Sequence, residues 1–421
     1  MPVASRLMPF SMKPRWWIVI AASVAHAVNT GLSYFGIGAY FPSFEREFGW
    51  SRTAISGAFS LARMEGSVLG PLEGYLTDRL GPPRMMFIGI ILCALGFFSL
   101  SLVHSLPMLY AVLILGVVLG SSLGYNMPLS VVVANLFRAR RSLAFGIFRM
   151  GPGLSGPLVG VVGWMIGLWG WRTAAVASAF ILLAVGLPLA SLIVRAYERH
   201  QIALSEAPGP EVNVASERRM ASEPQFTVGE AMRTASFWML SMAMALRQMV
   251  TEGVSVHFVI LLVDRGLSTE AASVLLGVSA LISAPARLGM GWLGDLLNKR
   301  RLIMGLLISL SFSVFLMGWT AHPYLFTPFM VIYSLAYGGL AALQEPIRAD
   351  YFGTRYFASI HGMSRSVTTV GTFMGPIIAG FFYDLTKSYT IPFTFFAFVG
   401  FLSTLCMFLA KPPVKREAKR G

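Results

Sequence analysis

Five arginines lie within stretches of sequence that are otherwise apolar enough to cross a lipid bilayer: Arg63, Arg149, Arg247, Arg287 and Arg365. A charge at the centre of a bilayer costs at least ~2.5–3.5 kcal/mol even on lenient insertion scales. Each guanidinium is therefore expected to face a bundle interior, an acidic partner or a water-filled cavity. Because a guanidinium binds a carboxylate through two parallel hydrogen bonds, these residues predict a membrane carrier with an anionic cargo.

Acids in the same stretches limit how many of the arginines can bind cargo. If each acid pairs with one arginine, five arginines minus four acids leave one positive charge, which suits a site for one anionic group. Arg247 is the arginine most expected to be structural. Glu252 lies about 140° away around the same helix, so each of the two is expected to find a partner on another span. The four acids are Glu65, Glu73, Glu252 and Glu345.

The composition supports a chain that is largely dissolved in lipid. Hydrophobic residues make up 55% of it and charged residues 12%, against roughly 25% charged in globular domains. The net charge of +14 comes from short basic clusters between apolar runs, which is typical of cytoplasmic loops and not of nucleic-acid binding. Cys93 and Cys406 have no metal-ligand spacing, so we expect neither metal nor cofactor. The first apolar run is too long for a signal peptide and is expected to be retained.

Apolar runs of roughly 20 residues, the length needed to span a bilayer, predict the membrane segments. They fall at about 16–41, 53–76, 85–104, 107–136, 142–168, 172–195, 236–263, 271–294, 302–320, 324–348, 357–382 and 391–410. Basic connections such as 138–141 and 299–301 lie on one side, which predicts that both termini are cytoplasmic. We therefore predict an all-α membrane protein with twelve transmembrane helices.

A polar segment and an internal repeat divide these spans into two pseudo-symmetric six-helix bundles. We expect bundles at 1–195 and 236–421, joined by a cytoplasmic linker at 196–235 whose end, 226–233, forms a short amphipathic helix on the membrane. The motif Gly74-Tyr-Leu-Thr-Asp78 ends the second span, and Gly291-Trp-Leu-Gly-Asp295 ends the eighth. Gly146-Ile-Phe-Arg149 is echoed six spans later by Gly362-Met-Ser-Arg365.

The segment from Gly74 to Arg84 resembles the signature loop of the major facilitator superfamily, whose substrate site lies between two six-span halves. The resemblance implies that Asp78 caps neighbouring helix ends and that Arg79 and Arg84 make charge contacts between the halves. Asp295 occupies the repeated position. An ordinary basic loop with helix caps is the alternative.

The segments Asn135 to Gly146 and Gly31 to Arg52 resemble the monocarboxylate transporter branch, including its bacterial lactate and oxalate carriers. Arg287 matches that family's span-eight arginine, which implies that it binds the substrate carboxylate; a structural ion pair with a glutamate is the alternative. Arg365 resembles the position of the second cation in the oxalate carrier, where a lysine stands. Arg149 occupies a place where relatives carry a small residue.

Two departures bear on proton coupling. A lysine of the animal members is replaced by Gly38, and an aspartate one turn before the span-eight arginine is replaced by Ser283. Glu252 and His257 are then the candidates for carrying a proton, because a buried glutamate and a histidine both titrate near neutrality. Interhelical hydrogen bonding is the alternative role for both.

Neutral donors complete the expected site, with packing roles as the alternative for each. At about 1.5 Å rise per residue, Arg149, Arg287 and Arg365 share a layer about 10–12 Å from the cytoplasmic ends of their spans. Arg149 and Arg247 are assigned to structural or gating charge together with Glu65 and Glu345. The neutral candidates for binding substrate oxygens are Tyr34, Tyr125, Asn126 and Tyr337.

These features predict a secondary transporter of a small carboxylate, such as lactate or pyruvate, that is proton-coupled and works by alternating access. A dicarboxylate or organic-anion exchanger is the alternative, favoured by the pair Arg287 and Arg365. A membrane sensor or a membrane enzyme is a remote alternative, and no enzyme activity is expected. We expect a monomer in the bacterial plasma membrane.

Overall fold

The computed structural model describes residues 14–137, 140–206, 225–320 and 323–413. Within these ranges the regular secondary structure is helical. Ten stretches are long and apolar enough to cross a membrane. The longest, Arg141–Arg199, is divided at Gly170, whose φ of +77° breaks the helix, and residues 52–80 add another span. Ten plus one plus one makes twelve spans, so the predicted fold class is confirmed.

The first bundle contains spans 1 to 6, and several of them are irregular. Span 1 joins the α-helix Pro14–Asn29, the π-helix Thr30–Phe35, the 3-10 helix Gly36–Tyr40 and the α-helix Phe41–Phe48. Spans 2 and 3 are Arg52–Val68 with Gly70–Leu80, and Pro82–Ser101. Span 4 is Leu106–Leu136, with π-helical turns at Val112–Val118 and Ser122–Asn126. Span 5 comprises Arg141–Gly153 and the part of Gly156–Glu206 before Gly170; span 6 is the remainder.

The second bundle contains more regular helices. Spans 7 to 12 are Ala235–Asp264, Thr269–Leu296, Lys299–Trp319, Pro323–Phe352, Phe357–Thr386 and Thr390–Leu409. Span 6 continues as helix to Glu206, beyond residue 195 where the sequence predicted its end. Residues 207–224 of the predicted linker lie outside the described residues.

A short helix, Val228–Met232, forms within the segment predicted to be an amphipathic helix. Thr227 Oγ1 accepts a hydrogen bond from Glu230 N at 3.3 Å, and Thr227 N donates to the Glu230 carboxylate at 2.7 Å. This reciprocal pair satisfies backbone donors that the first turn of a helix otherwise leaves unbonded. Its predicted position on a membrane surface stays a prediction.

Each bundle has its own hydrophobic core, and close backbone contacts join the two bundles. We call the face where span 1 begins and span 12 ends the terminal face. Near it, an added Cβ at Gly74 would overlap the carbonyl oxygen of Ala358, and one at Gly146 would lie 2.5 Å from the oxygen of Arg287. Small residues allow helix backbones to approach in this way. Farther from that face, an added Cβ at Gly160 has nothing within 4 Å. The bundles are therefore closed against each other at the terminal face.

Candidate substrate site between the bundles

Two aspartates close the terminal face by capping helices of the opposite bundle. Asp295, at the end of span 8, accepts hydrogen bonds from the backbone N–H groups of Ser142 at 2.8 Å and Leu143 at 3.0 Å. Asp78, at the end of span 2, accepts one from Ser359 at 2.8 Å. All three N–H donors lie in the first turn of a helix, where unbonded N–H groups carry partial positive charge. The sequence repeat thus corresponds to a structural repeat across the interface.

An ion pair between Arg141 of the first bundle and Asp350 of the second strengthens this contact. Asp350 of span 10 forms ion pairs with Arg141 at 2.6 Å and with Lys299 at 2.6 Å. The Arg141 side chain is almost completely buried. Arg79, by contrast, donates to Tyr75 of its own helix at 3.0 Å, and Arg84 is exposed. Among the described residues no interdomain contact of Arg79 or Arg84 is recorded, so that role stays a prediction.

Two of the interior arginines are paired with acids across the bundle interface. Arg149 on span 5 binds both carboxylate oxygens of Glu345 on span 10, with Nε 3.1 Å from Oε2. Arg365 on span 11 lies 3.3 Å from Glu73 Oε2 on span 2 and donates to Ser122 Oγ at 2.9 Å. Both glutamates are fully buried. These pairs use the charge of Arg149 and Arg365 to hold the bundles together.

Of the five arginines identified in the sequence, Arg247 and Arg287 have no ion pair within the described part of the chain. Arg287 on span 8 donates through Nη1 to the backbone oxygen of Arg149 at 2.6 Å, and its buried Nε has no hydrogen-bond partner. Arg247 on span 7 donates through Nη2 to Gln248 at 2.6 Å, and its buried Nε and Nη1 have none. Arg287 is 8% exposed and Arg247 4%. The sequence predicted that Arg247 pairs with a residue on another span. No such pair is recorded among the described residues.

Tyr337 lies on the part of span 10 that packs against span 7 near Arg247 and against span 8 near Arg287. It stacks on Tyr333, with ring centroids 6.2 Å apart, and Tyr333 donates to the backbone oxygen of Thr251 on span 7 at 3.4 Å. Thr251 is one turn beyond Arg247. On the other side, an added Cβ at Gly338 would overlap the backbone oxygen of Ser283, one turn before Arg287. Tyr337 is within electrostatic range of both arginines.

The structure separates the remaining neutral candidates. Asn126 lies 3.5 Å from Arg149 Nη1, so it is close to the paired arginine. Tyr125 is buried and donates to the backbone oxygen of Leu182 at 3.5 Å, inside the first bundle. Tyr34 is 46% exposed and stacks edge-on against Phe35. The side chains of Arg63 and Glu65 lie outside the described part of the structure.

The two proton-coupling candidates have different surroundings. Glu252 accepts a hydrogen bond from Gln248 Nε2 at 2.7 Å, and the same amide accepts the hydrogen bond from Arg247. His257 Nδ1 lies 2.9 Å from the Tyr389 hydroxyl, and its Nε2 lies 3.2 Å from the Pro376 carbonyl oxygen. Glu252 is thus connected to an interior arginine, whereas both nitrogens of His257 are occupied by contacts to spans 11 and 12.

Sequence reasoning missed two residues of the interior. Arg348 stands at the end of the predicted apolar run 324–348, but it is buried within span 10 and lies 3.1 Å from Nδ1 of His361 on span 11. His361 Nε2 is in turn 3.9 Å from Glu345. The spacing of Glu345 and Arg348 places both on one helix face. That spacing is the signal that could have identified Arg348 as an interior residue.

The family model of the Major Facilitator Superfamily matches residues 23–362 and 288–421, so the chain belongs to that superfamily. Monocarboxylate transporter 12-B of Danio rerio is 26% identical over 93% of this chain and 86% of its own length. The oxalate:formate antiporter of Oxalobacter formigenes is 24% identical over 96% of this chain and 94% of its own. The solved proton:xylose symporter XylE superposes with a TM-score of 0.70 at 13% identity, covering 94% of this chain and 95% of that one.

These similarities settle the class of protein. The chain is a multi-pass membrane transporter, and its relatives and structural neighbours are transporters rather than enzymes. The predicted resemblance to the superfamily and to its monocarboxylate transporters is confirmed.

Proposed function

We propose that this protein is a secondary transporter of a small carboxylate, which binds at Arg287 between the two bundles. The observation that carries the proposal is that Arg287 is buried beside the opposite bundle and has no acidic partner within the described residues. A buried charge of this kind is costly unless something compensates it. A carboxylate substrate supplies that compensation. The relatives named as monocarboxylate and oxalate:formate transporters support the same cargo class.

The contacts that close the terminal face support transport by alternating access. Opening that face requires Asp78 and Asp295 to leave the helix ends that they cap, and requires Gly74 and Gly146 to separate from the opposite backbone. Arg287 already contacts span 5 through the Arg149 carbonyl. An anion bound at Arg287 therefore lies at the interface along which the two bundles move against each other.

Proton coupling is assigned to Glu252, with His257 as the second candidate. Glu252 reaches Arg247 through the amide of Gln248. A proton on Glu252 removes the negative charge nearest to Arg247 along this path and leaves the guanidinium more attractive to an anion. Symport of the proton and the carboxylate is the consequence.

Membrane placement follows from the distribution of basic residues. The terminal face carries Lys299, Arg300 and Arg301, so we assign it to the cytoplasm. The bundles are assigned to 1–195 and 236–421, the linker to 196–235, and the protein to the bacterial plasma membrane as a monomer. An impermeant reagent should label a single cysteine at Ser105 in intact cells, and a single cysteine at Asn298 only after the cells are permeabilised. Labelling of both from one side would contradict the topology.

Arg287 provides the test of the carboxylate site. Loss of one partner of a buried charged hydrogen-bonded pair costs roughly 2–5 kcal/mol, which is more than tenfold in affinity. Uptake of lactate, pyruvate and oxalate into proteoliposomes should be lost in Arg287→Ala. Arg287→Lys should fail as well, because a lysine keeps the charge but lacks the planar pair of donors. Near-normal uptake by Arg287→Ala would place the site elsewhere, and near-normal uptake by Arg287→Lys would show that a diffuse positive field is sufficient.

A further inference from the structure

Arg247 shares with Arg287 the property of being a buried interior arginine without an ion pair among the described residues. We propose that Arg247 is the second anion-binding residue, and that Arg247 and Arg287 together bind a small dicarboxylate, one carboxylate to each guanidinium. This inference rests on the proposed role of Arg287. It assigns the second cation to span 7, whereas the sequence favoured Arg365 on span 11.

The distribution of counter-charges is the first argument. Arg149 and Arg365 each contact a fully buried glutamate across the interface. Substrate binding at either would have to displace that acid. Arg247 donates only to the neutral amide of Gln248, and two of its three nitrogens are buried without partners. The guanidinium that still needs a counter-charge is therefore Arg247 and not Arg365.

The packing of span 10 is the second argument. Tyr333 contacts span 7 one turn from Arg247, and Gly338 contacts span 8 one turn from Arg287. Tyr337 lies between these two contacts on the same helix. Tyr337 is therefore on the stretch of span 10 that packs near both arginines, and its hydroxyl can donate to a substrate oxygen. At about 1.5 Å rise per residue, Arg247 is about 18 Å from the start of its helix at Ala235, deep within the bundle.

Gln248 explains how Arg247 is held without being neutralised. Its side-chain oxygen accepts from Arg247 at 2.6 Å, and its side-chain nitrogen donates to Glu252 at 2.7 Å. The amide fixes the guanidinium while keeping the Glu252 carboxylate beyond ion-pair distance. Arg247 thus retains N–H donors on Nε and Nη1 that a second carboxylate can use.

Binding of mono- and dicarboxylates to purified protein tests this inference. The monocarboxylate probes are acetate and lactate, and the dicarboxylate probes are oxalate, malonate and succinate. Binding is measured by calorimetry. Arg247→Gln should weaken dicarboxylate binding more than about tenfold and change monocarboxylate binding less than about threefold. Arg287→Gln should abolish both. Arg265→Gln is the matched control, because Arg265, like Arg287, donates to a backbone oxygen, that of Gly318. This substitution should leave every affinity unchanged.

Each other result contradicts the inference in a recognisable way. Wild-type protein that binds no dicarboxylate overturns it, as does Arg247→Gln with an unchanged preference between the two classes. Selective loss of dicarboxylate binding in Arg365→Gln but not in Arg247→Gln would assign the second cation to Arg365 on span 11. Retention of all binding by Arg287→Gln would instead contradict the proposed function.

A second variant covers the case in which Arg247→Gln does not fold. Arg247→Lys keeps the buried charge but removes the planar arrangement of donors. It should retain monocarboxylate binding and lose at least part of the preference for dicarboxylates. An unchanged preference in Arg247→Lys would overturn the inference.

Discussion

Arg149 and Glu345 form an ion pair that joins span 5 to span 10 through the interior of the protein. Glu345 is fully buried and also lies 3.9 Å from His361, which contacts Arg348. When the terminal face opens and span 5 moves away, Glu345 keeps two basic neighbours within its own bundle. The pair can therefore separate without leaving its carboxylate alone among apolar side chains.

The first prediction is a strong energetic coupling between Arg149 and Glu345. Removing one partner of a buried ion pair costs up to about 3–5 kcal/mol. The cost should be larger for Glu345→Gln, which leaves Arg149 without its acidic partner, than for Arg149→Gln, in which Glu345 keeps His361 and Arg348 nearby. Arg149→Gln and Glu345→Gln should each lower the thermal stability of the purified protein, and the double variant should be less affected than the sum. A double-mutant cycle should give a coupling of about 1–3 kcal/mol.

The exposed pair of Glu47 and Arg172 is the control for this cycle. It joins spans 1 and 6 near the face opposite the terminal face, and its side chains are 39% and 46% exposed. Solvent screening limits such a pair to about 0–1 kcal/mol. Additive effects at Arg149 and Glu345, or equal coupling in both pairs, would contradict the role assigned to the interior pair.

The second prediction concerns the caps at the terminal face. Asp78→Asn removes the negative charge at the start of span 11 and should weaken closure. A cysteine at Ser359, which is 7% exposed, should then react faster with a maleimide, in a background with Cys93 and Cys406 replaced by alanine. Asp295→Asn should do the same for a cysteine at Leu143.

Asp384→Asn is the matched control for these two variants. Asp384 lies near the opposite face and is 80% exposed, so its substitution should leave both labelling rates unchanged. If the rates in Asp78→Asn and Asp295→Asn match those of the parent protein, the caps do not hold the terminal face closed.

The third prediction concerns coupling to protons. Glu252→Gln keeps a hydrogen-bonding side chain beside Gln248 but can no longer bind and release a proton. Uptake driven by a pH gradient in proteoliposomes should be lost, while exchange of substrate at equal pH on both sides should persist. His257→Gln is expected to keep gradient-driven uptake, since His257 is tied to Tyr389 and Pro376. Gradient-driven uptake that survives in both variants would show that coupling lies elsewhere or that the carrier is an exchanger.

The number of spans and their division into halves could be read from the sequence, because both depend on local features. Hydropathy marks each span, and the motifs ending at Asp78 and Asp295 repeat in sequence before they repeat in space. Gly170 is a further case: the break it makes between spans 5 and 6 falls between the two predicted apolar runs.

The pairing of interior charges could not be read in the same way. Arg149 and Glu345, like Arg365 and Glu73, come from different bundles, so their partnership depends on how the bundles dock. Counting acids against arginines predicted one unpaired cation, whereas both Arg247 and Arg287 lack an ion pair among the described residues. The count did not predict that Arg247 donates to Gln248 and forms no ion pair with an acid among the described residues.

The fourth prediction uses glycines to separate local helix stability from closure. Alanine is ordinarily favoured over glycine in a helix by roughly 0.5–1 kcal/mol. At Gly146, however, a Cβ would lie 2.5 Å from the backbone oxygen of Arg287, so Gly146→Ala should push spans 5 and 8 apart and speed labelling of a cysteine at Leu143. Gly160→Ala, where a Cβ meets nothing within 4 Å, should leave labelling unchanged and keep or raise thermal stability. Because both glycines lie in span 5, faster labelling in Gly146→Ala but not in Gly160→Ala would locate the closing contact at Gly146. Equal labelling in Gly146→Ala and Gly160→Ala would contradict it.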